Sequence, residues 1–206
     1  DIKPSEEEQI IFQKKFMARE KITDQESLQN WIKVKGIKES DLNLKIYEAL
    51  KLEIFKKEKF NEYVENVFLK RKSDLDRVTY SLIRAKNREK IIELNIRLNE
   101  EEATFSELSS EFSEGFENMV DGLIGPVELG KTNPVIAERL KSSKPGKIWP
   151  PFEIENWWVL LRLERYMPAK LNDTMRNRVI NEMYESWILE KIKKTLDELN
   201  SNSIKE

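Results

Sequence analysis

The sequence contains no histidine and no cysteine. Those two absences remove Ser-His-Asp and Cys-His nucleophilic catalysis, zinc sites of the usual type, disulfides and thiol redox chemistry. Any enzyme built from this chain works without them. Also lacking is any apolar run approaching the roughly 20 residues that a membrane span requires, and no signal-peptide pattern opens the chain. It begins at Asp1 with no initiator Met, which leaves room for a few removed residues or a targeting segment. An excess of either charge is missing too, since 36 Lys and Arg against 38 Asp and Glu leave a formal net charge of -2. That balance is not the footprint of a nucleic-acid binder. Local basic runs such as KKEK at Lys56 to Lys59 and LKRK near Lys70 are matched by nearby Glu and read as solvated helix faces. The expectation is a protein without cofactor or metal, inserted in no membrane and bound to no nucleic acid.

Glycine and proline are scarce, six and seven among 206 residues, and unevenly placed. The stretch DGLIGPVELGKTNP, Asp121 to Pro134, holds three of the glycines and two of the prolines. A phosphate-cradling loop is excluded there, because the spacing is not that of Walker A and a proline stands where a backbone donor is needed.

Around that stretch the chain is mostly charged and helical. SEEEQIIFQKKFMARE opens with Ser5 and Glu8 in capping-box spacing and carries Ile11, Phe12 and Phe16 at helical intervals. TDQESLQNWIKVKG repeats the device with Thr23 and Glu26 and ends on Gly36, a C-cap residue. A third, longer segment places Leu42, Ile46, Leu50 and Ile54, and later Phe60, Val64 and Phe68, on one stripe. At the other end, Leu171 to about Leu199 reads as one helix with Met175, Val179, Met183 and Trp187 on a stripe and Ile180, Ile188, Ile192 and Leu196 beside it. So wide an apolar face needs a partner. Either the N-terminal helices supply it, making one helical domain from both chain ends, or a second copy does.

Between these helices the period changes. DRVTYSLIRA alternates Val78, Tyr80 and Leu82 with Thr79, Ser81 and Ile83, and reads as a half-buried strand. Two helices follow, the second starting at Thr104 with Glu107 in capping-box spacing and stopping at Gly115. Next come the glycine-rich stretch, a short helix from Pro134 to about Ser142, KPGKIWPP, and the apolar strand NWWVLLRLERY. The order is β, α, α, β, α, β, β. Trp157 and Trp158 adjoin, so on a strand they point to opposite faces, one into the core and one to the outer face.

Taken in order, DRVTYSLIRA, ATFSELSSEFSEG, GLIGPVELG and KPGKIWPPFEIENWWVLLRLERY resemble the parvulin-type peptidyl-prolyl isomerase domain, from about Asp74 to Pro168. FSELSSEFSEG is similar to that family's Phe-x-x-Leu-x-x-x-Ser helix end, and SKPGKI to its Leu-x-x-Gly-x-Ile segment. The flanking helices resemble those of SurA-like foldases and chaperones, and more closely the parvulin-like proteins of cyanobacteria, some tied to type I secretion. The resemblance implies an α+β chain. Its helical part would be residues 1–73, completed by a C-terminal helix in 169–206, with a parvulin-like antiparallel sheet domain over 74–168 inserted between. In such a domain the glycine-rich stretch is the turn and strand leading from the second helix into the sheet, where Gly supplies the unusual dihedrals.

The same resemblance implies site residues. Two histidines usually lie under the parvulin proline cup; their positions fall on Tyr80 and Val159. The family's Cys or Asp position falls on Gly115, so the polar centre is expected to be stripped. The apolar cup falls on Ile124, Thr132 and Ile136, with Asn156 at a position that is often small and polar. The implied activity is isomerisation of Xaa-Pro bonds in unfolded or secreted polypeptide clients, by a monomer or weak dimer that binds them through the helical domain as well. Loss of both histidines leaves a second reading open, in which the domain only binds clients.

Overall fold

The computed structural model describes residues 2–203, with side chains as far as Leu199. The chain divides into two compact units, one made of residues up to Val67 together with those from Leu171 onward, the other of Phe68–Lys170.

The helical unit begins with α1 (Glu6–Arg19), held by the expected capping box of Ser5 and Glu8. The box on α2 (Gln25–Lys35) sits one residue later than the spacing of Thr23 and Glu26 suggests. Asp24 is the N-cap, accepting from the Ser27 N–H at 2.8 Å, while the Asp24 N–H donates back to Ser27 Oγ at 3.1 Å. A carboxylate outcompetes the neighbouring threonine because Asp is the stronger cap acceptor. Gly36 closes α2 in the left-handed conformation. The third segment is interrupted: α3 (Glu39–Phe60) gives way to a 3-10 turn at Asn61–Tyr63 before α4 (Val64–Leu75). Sequence spacing carries the reason, since the apolar stripe jumps six places from Ile54 to Phe60 and the tighter turn resets its phase.

The last helix, α8 (Asp173–Ser203), completes this unit from the far end of the chain. Its Val179 and Ile180 bury against Phe60 and Val64, with Met175, Met183 and Trp187 packed around them. Phe55 meets Tyr184 edge-on and lies tilted against Trp187, with ring centroids 6.4 and 5.7 Å apart. The stripe is not covered to its end, however. Ile192 and Leu196 are more than half exposed, so the N-terminal helices cover only the first part of α8.

The second unit is built on a four-stranded antiparallel sheet in the order β2-β1-β4-β3, from β1 (Arg77–Ala85), β2 (Leu123–Glu128), β3 (Ile148–Ile154) and β4 (Trp157–Met167). Two helices, α5 (Arg88–Asn99) and α6 (Phe105–Phe112), cover one face through Ile91, Leu94, Phe105 and Leu108. A third, α7 (Pro134–Lys141), covers the other through Ile136, Ala137 and Leu140. With both faces covered, β1 is more buried than the half-buried strand that its alternation suggests. For the same reason the two tryptophans are not divided into core and outer face: Trp157 packs on the α7 side and Trp158 on the α5 and α6 side, each partly buried. Helix α6 ends at Phe112 rather than Gly115, and residues 116–120 form a 3-10 turn.

The edge strand β2 carries the glycine-rich stretch. Gly125 has φ of +115°, and a Cβ there would lie 2.5 Å from the Val78 carbonyl oxygen, so only glycine allows this approach of β2 to β1. A cis peptide joins it to Pro126.

Candidate active site: a buried ion pair under the sheet face of Tyr80

The side chains of Val78, Tyr80, Leu82 and Arg84 leave β1 on one face, the face covered by α7. Tyr80 is flanked by Ile124 on β2 and Leu163 on β4, its cross-strand partners. Both neighbours are irregular at this level. On β2, Gly125 and Pro126 oppose the single residue Thr79, and on β4 Glu164 is an extra residue between the partners of Thr79 and Tyr80. Bulges of this kind bend a strand and re-aim its side chains, and here two of them bracket one tyrosine. The β4 bulge is held from the opposite face, where the Ser81 hydroxyl donates to Glu164 Oε1 and Arg162 Nε lies 2.7 Å from the same oxygen.

Tyr80 is 6% exposed, and burial raises its phenol above the ordinary range, with the negative charge of Glu117 adding to the rise. It therefore stays protonated and able to donate at all ordinary pH values. Val159, four residues before Leu163 on β4, lies on the same face, is 2% exposed and is the cross-strand partner of Arg84. Ile136 is buried with both of them, and Ile124 packs against the same cluster.

Beside them lies a group that the sequence does not announce. Glu117 is fully buried, and its Oε1 lies 3.0 Å from Arg84 Nε. The Ser113 hydroxyl donates to the same Oε1 at 2.7 Å, and the Arg84 N–H in turn donates to Ser113 Oγ at 3.0 Å. The contact between the charges is an ion pair rather than a hydrogen bond, since the Arg84 Nε–H is not directed at the oxygen; Glu117 Oε2 is buried with no hydrogen-bond partner among the described residues. The guanidinium is under one-third exposed and lies 5.2 Å from the Trp157 ring centroid and 5.8 Å from that of Phe116.

Gly115 makes this arrangement possible. A Cβ at that position would fall 2.0 Å from Arg84 Nε and 2.4 Å from Glu117 Oε1. The position that sequence reasoning treated as a lost polar group is thus the gap through which an arginine reaches a carboxylate. Tyr80, Gly115 and Val159 converge on the Arg84–Glu117 pair, by charge, by contact and by strand register respectively.

Two predicted positions stand apart from this convergence. The Thr132 hydroxyl donates to the Leu129 carbonyl at 2.7 Å, holding the 3-10 turn that precedes α7. Asn156 is exposed in the two-residue turn between β3 and β4, next to Glu155 at a φ of +55°. Sequence reasoning missed Arg84, Ser113 and Glu117. Glu117 is one acidic residue among many, and the signal that could have found it is the glycine two residues earlier in a charged loop. Among the described residues no group of His, Cys, Asp and Glu could hold a metal ion, and no helix is long and apolar enough to cross a membrane.

Comparison with known proteins gives the sheet-bearing part of the chain a family. The model of the rotamase, PPIC-type PPIase domain matches residues 67–165. No curated protein matches the sequence. Among solved structures, the chain is similar to the peptidylprolyl isomerase PrsA from Bacillus anthracis at 18% identity and a TM-score of 0.49, covering 89% of this chain and 81% of that one. It is similar to a SurA-like chaperone of Campylobacter jejuni at 18% identity and a TM-score of 0.40, covering 97% and 85%. The parvulin domain of PpiD from E. coli matches at 20% identity and a TM-score of 0.40, covering 48% of this chain and 95% of that domain. Residues 67–165 of this chain belong to the PPIC-type, or parvulin, family of PPIase domains.

Proposed function

We propose that this chain is a foldase that isomerises Xaa-Pro bonds of unfolded or secreted client polypeptides, with the sheet unit acting on the bond and the helical unit holding the client. One observation carries the reading: of the positions that match the parvulin site, Gly115 abuts the Arg84–Glu117 ion pair, Val159 is the cross-strand partner of its arginine and Tyr80 feels the charge of its carboxylate, while the apolar Ile124 and Ile136 share the core cluster of Tyr80 and Val159.

Rotation about a peptide bond faces a barrier of about 18 to 20 kcal/mol set by amide resonance. No covalent step is needed to lower it. The twisted amide is favoured when the proline ring is held in an apolar surround and a donor faces the amide, because conjugation is then worth less in the bound state than in water. Ile124 and Ile136 supply the surround. Arg84, partly exposed and permanently charged, supplies the donor, with Glu117 and Ser113 fixing its direction. Tyr80 is a second donor for a client carbonyl.

The test is a protease-free exchange measurement on a panel of Xaa-Pro peptides, comparing the wild type with Ile124→Ala, Tyr80→Ala and Arg84→Met. Acceleration by the wild type that falls in these variants supports the reading. A rate equal to the spontaneous one overturns it. The second reading, a parvulin-like chaperone or adaptor that only binds clients, is favoured by Val159, whose buried side chain has no polar atom to replace a histidine. Suppression of client aggregation without any exchange would single it out.

A further inference from the structure

A cavity of about 600 Å³ lies within the helical unit, between α1, α2 and α3. That volume is within the roughly 300–1,000 Å³ range of ligand-binding clefts. Its walls are apolar: Phe16 and Trp31 meet edge to face with ring centroids 5.6 Å apart, and Leu42 and Ile46 are buried at its base. The Trp31 indole is fixed by donating from Nε1 to Glu20 Oε2 at 3.3 Å. An aromatic wall held in place before anything binds loses little entropy on binding.

The rim is charged, predominantly with one sign. Lys15, Arg19, Lys35 and Lys45 line the cavity against a single carboxylate, Glu53. Arg19 and Glu53 are already matched, by Glu20 at 3.0 Å and Lys57 at 2.7 Å. Lys15, Lys35 and Lys45 have no carboxylate partner within ion-pair distance among the described residues. Two of the rim cations are seated over the wall itself, Arg19 5.5 Å from the Phe16 centroid and Lys35 5.7 Å from that of Trp31. They are therefore held at the mouth, where they would meet any charge carried beside an apolar group entering the cavity. The chain as a whole is slightly acidic, so this basic rim is a local feature and not the average of the surface.

We infer that this cavity binds a client polypeptide segment in which a large apolar side chain is flanked by Asp or Glu. The apolar residue fills the space against Phe16 and Trp31, and the carboxylates lie on Lys15, Lys35 and Lys45. The charge match selects the client, and the apolar anchor supplies the area. This rests on the foldase reading for the nature of the occupant, but not on any catalysis in the sheet unit.

The experiment uses the full chain and fluorescence anisotropy with three labelled peptides: one carrying Trp and Leu flanked by Glu, one with Gln at every Glu, and one with Lys there. The Glu peptide is expected to bind at least about tenfold more tightly than the Gln peptide, an advantage that raised salt removes. Lys15→Glu combined with Lys45→Glu, both at exposed helix positions, is expected to reverse the preference towards the Lys peptide. The Trp31 indole N–H resonance should shift on binding to the wild type. Equal affinity for the Glu and Gln peptides, indifference to charge reversal, or binding that leaves the Trp31 resonance unmoved each overturns the inference. Laurate is titrated alongside, and binding of laurate without any binding of the Glu peptide also overturns it. If no peptide binds while Xaa-Pro exchange is accelerated, this inference fails and the foldase reading stands.

Discussion

Arg84 Nε lies 3.0 Å from Oε1 of Glu117, a carboxylate that is fully buried. Removing one partner of such a pair strands the other charge, which typically costs about 3–5 kcal/mol, whereas removing both costs less than the sum. Glu117→Ala and Arg84→Met are each expected to lower the stability of the protein strongly, with Glu117→Ala the milder because the guanidinium it strands is partly exposed, whereas Arg84→Met strands a fully buried carboxylate. The double variant is expected to be more stable than additivity requires. Urea unfolding of all four proteins measures the coupling, and strict additivity would show that the two side chains do not act as a pair.

Gly115→Ala tests the same pair from outside. The added methyl would fall 2.0 Å from Arg84 Nε and 2.3 Å from its terminal nitrogen, so the guanidinium must leave the carboxylate. Overpacking of this kind costs about 1–3 kcal/mol, a smaller loss than that of Arg84→Met, because the charge facing Glu117 is displaced and not removed. An alanine variant as stable as the wild type, or one whose loss adds in full to that of Arg84→Met, would mean that the glycine does not shelter the pair.

Asp76 carries a prediction in pH. It is buried; burial opposes its ionisation, but hydrogen bonds from the Tyr166 hydroxyl, the Ala169 N–H and Lys72 outweigh that and hold its pKa below the usual value. Tyr166 is pushed up to about 12, first by burial and then by its bond to Asp76. The carboxylate therefore contributes stability above its unfolded pKa of roughly 3.9, and that contribution is lost as pH falls through the lower folded value. The phenol contributes below its unfolded pKa of roughly 10, and its share is lost as pH rises towards about 12. Asp76→Ala should cost about 1–3 kcal/mol at pH 7 and flatten both flanks of the stability–pH profile. Unchanged flanks would place the acid and alkaline losses elsewhere.

Tyr80→Phe should separate packing from donation. It keeps the ring against Ile124 and Leu163 and removes only the hydroxyl, for which no partner is present among the described residues. Stability is expected to change by less than about 0.5 kcal/mol, while Xaa-Pro exchange falls if the hydroxyl meets the client. Chemical denaturation and the exchange assay, run on the same preparation, distinguish a filler from a donor.

Much of the architecture was legible because it rests on local signals. The alternation in β1, the capping boxes at Ser5 and Thr104 and the C-cap at Gly36 each depend on residues within one turn or strand. The cap of α2 was misread by one residue because two acceptors, Thr23 and Asp24, stand side by side. The covering of both sheet faces was not legible, because Trp157 and Trp158 look alike in sequence and differ only in the helices that reach them. The site was legible in its apolar half only. Ile124 and Ile136 lie where a family pattern puts them, but Glu117 is an acidic residue in a charged loop until the fold brings it against Arg84, 33 positions earlier in the chain.

The joining of both chain ends in one helical unit bears on how the protein is made. During synthesis from the N-terminus, Phe60 and Val64 emerge more than a hundred residues before Val179 and Ile180, the partners that bury them. Every strand and helix of the sheet unit has left the ribosome by then. A nascent chain thus completes the sheet unit first and carries an uncovered apolar patch on its leading helices until α8 arrives. A stop codon placed before Leu171 would leave that patch open for good. Such a truncated product is expected to retain a folded sheet unit and to aggregate through the helices that lack their last member.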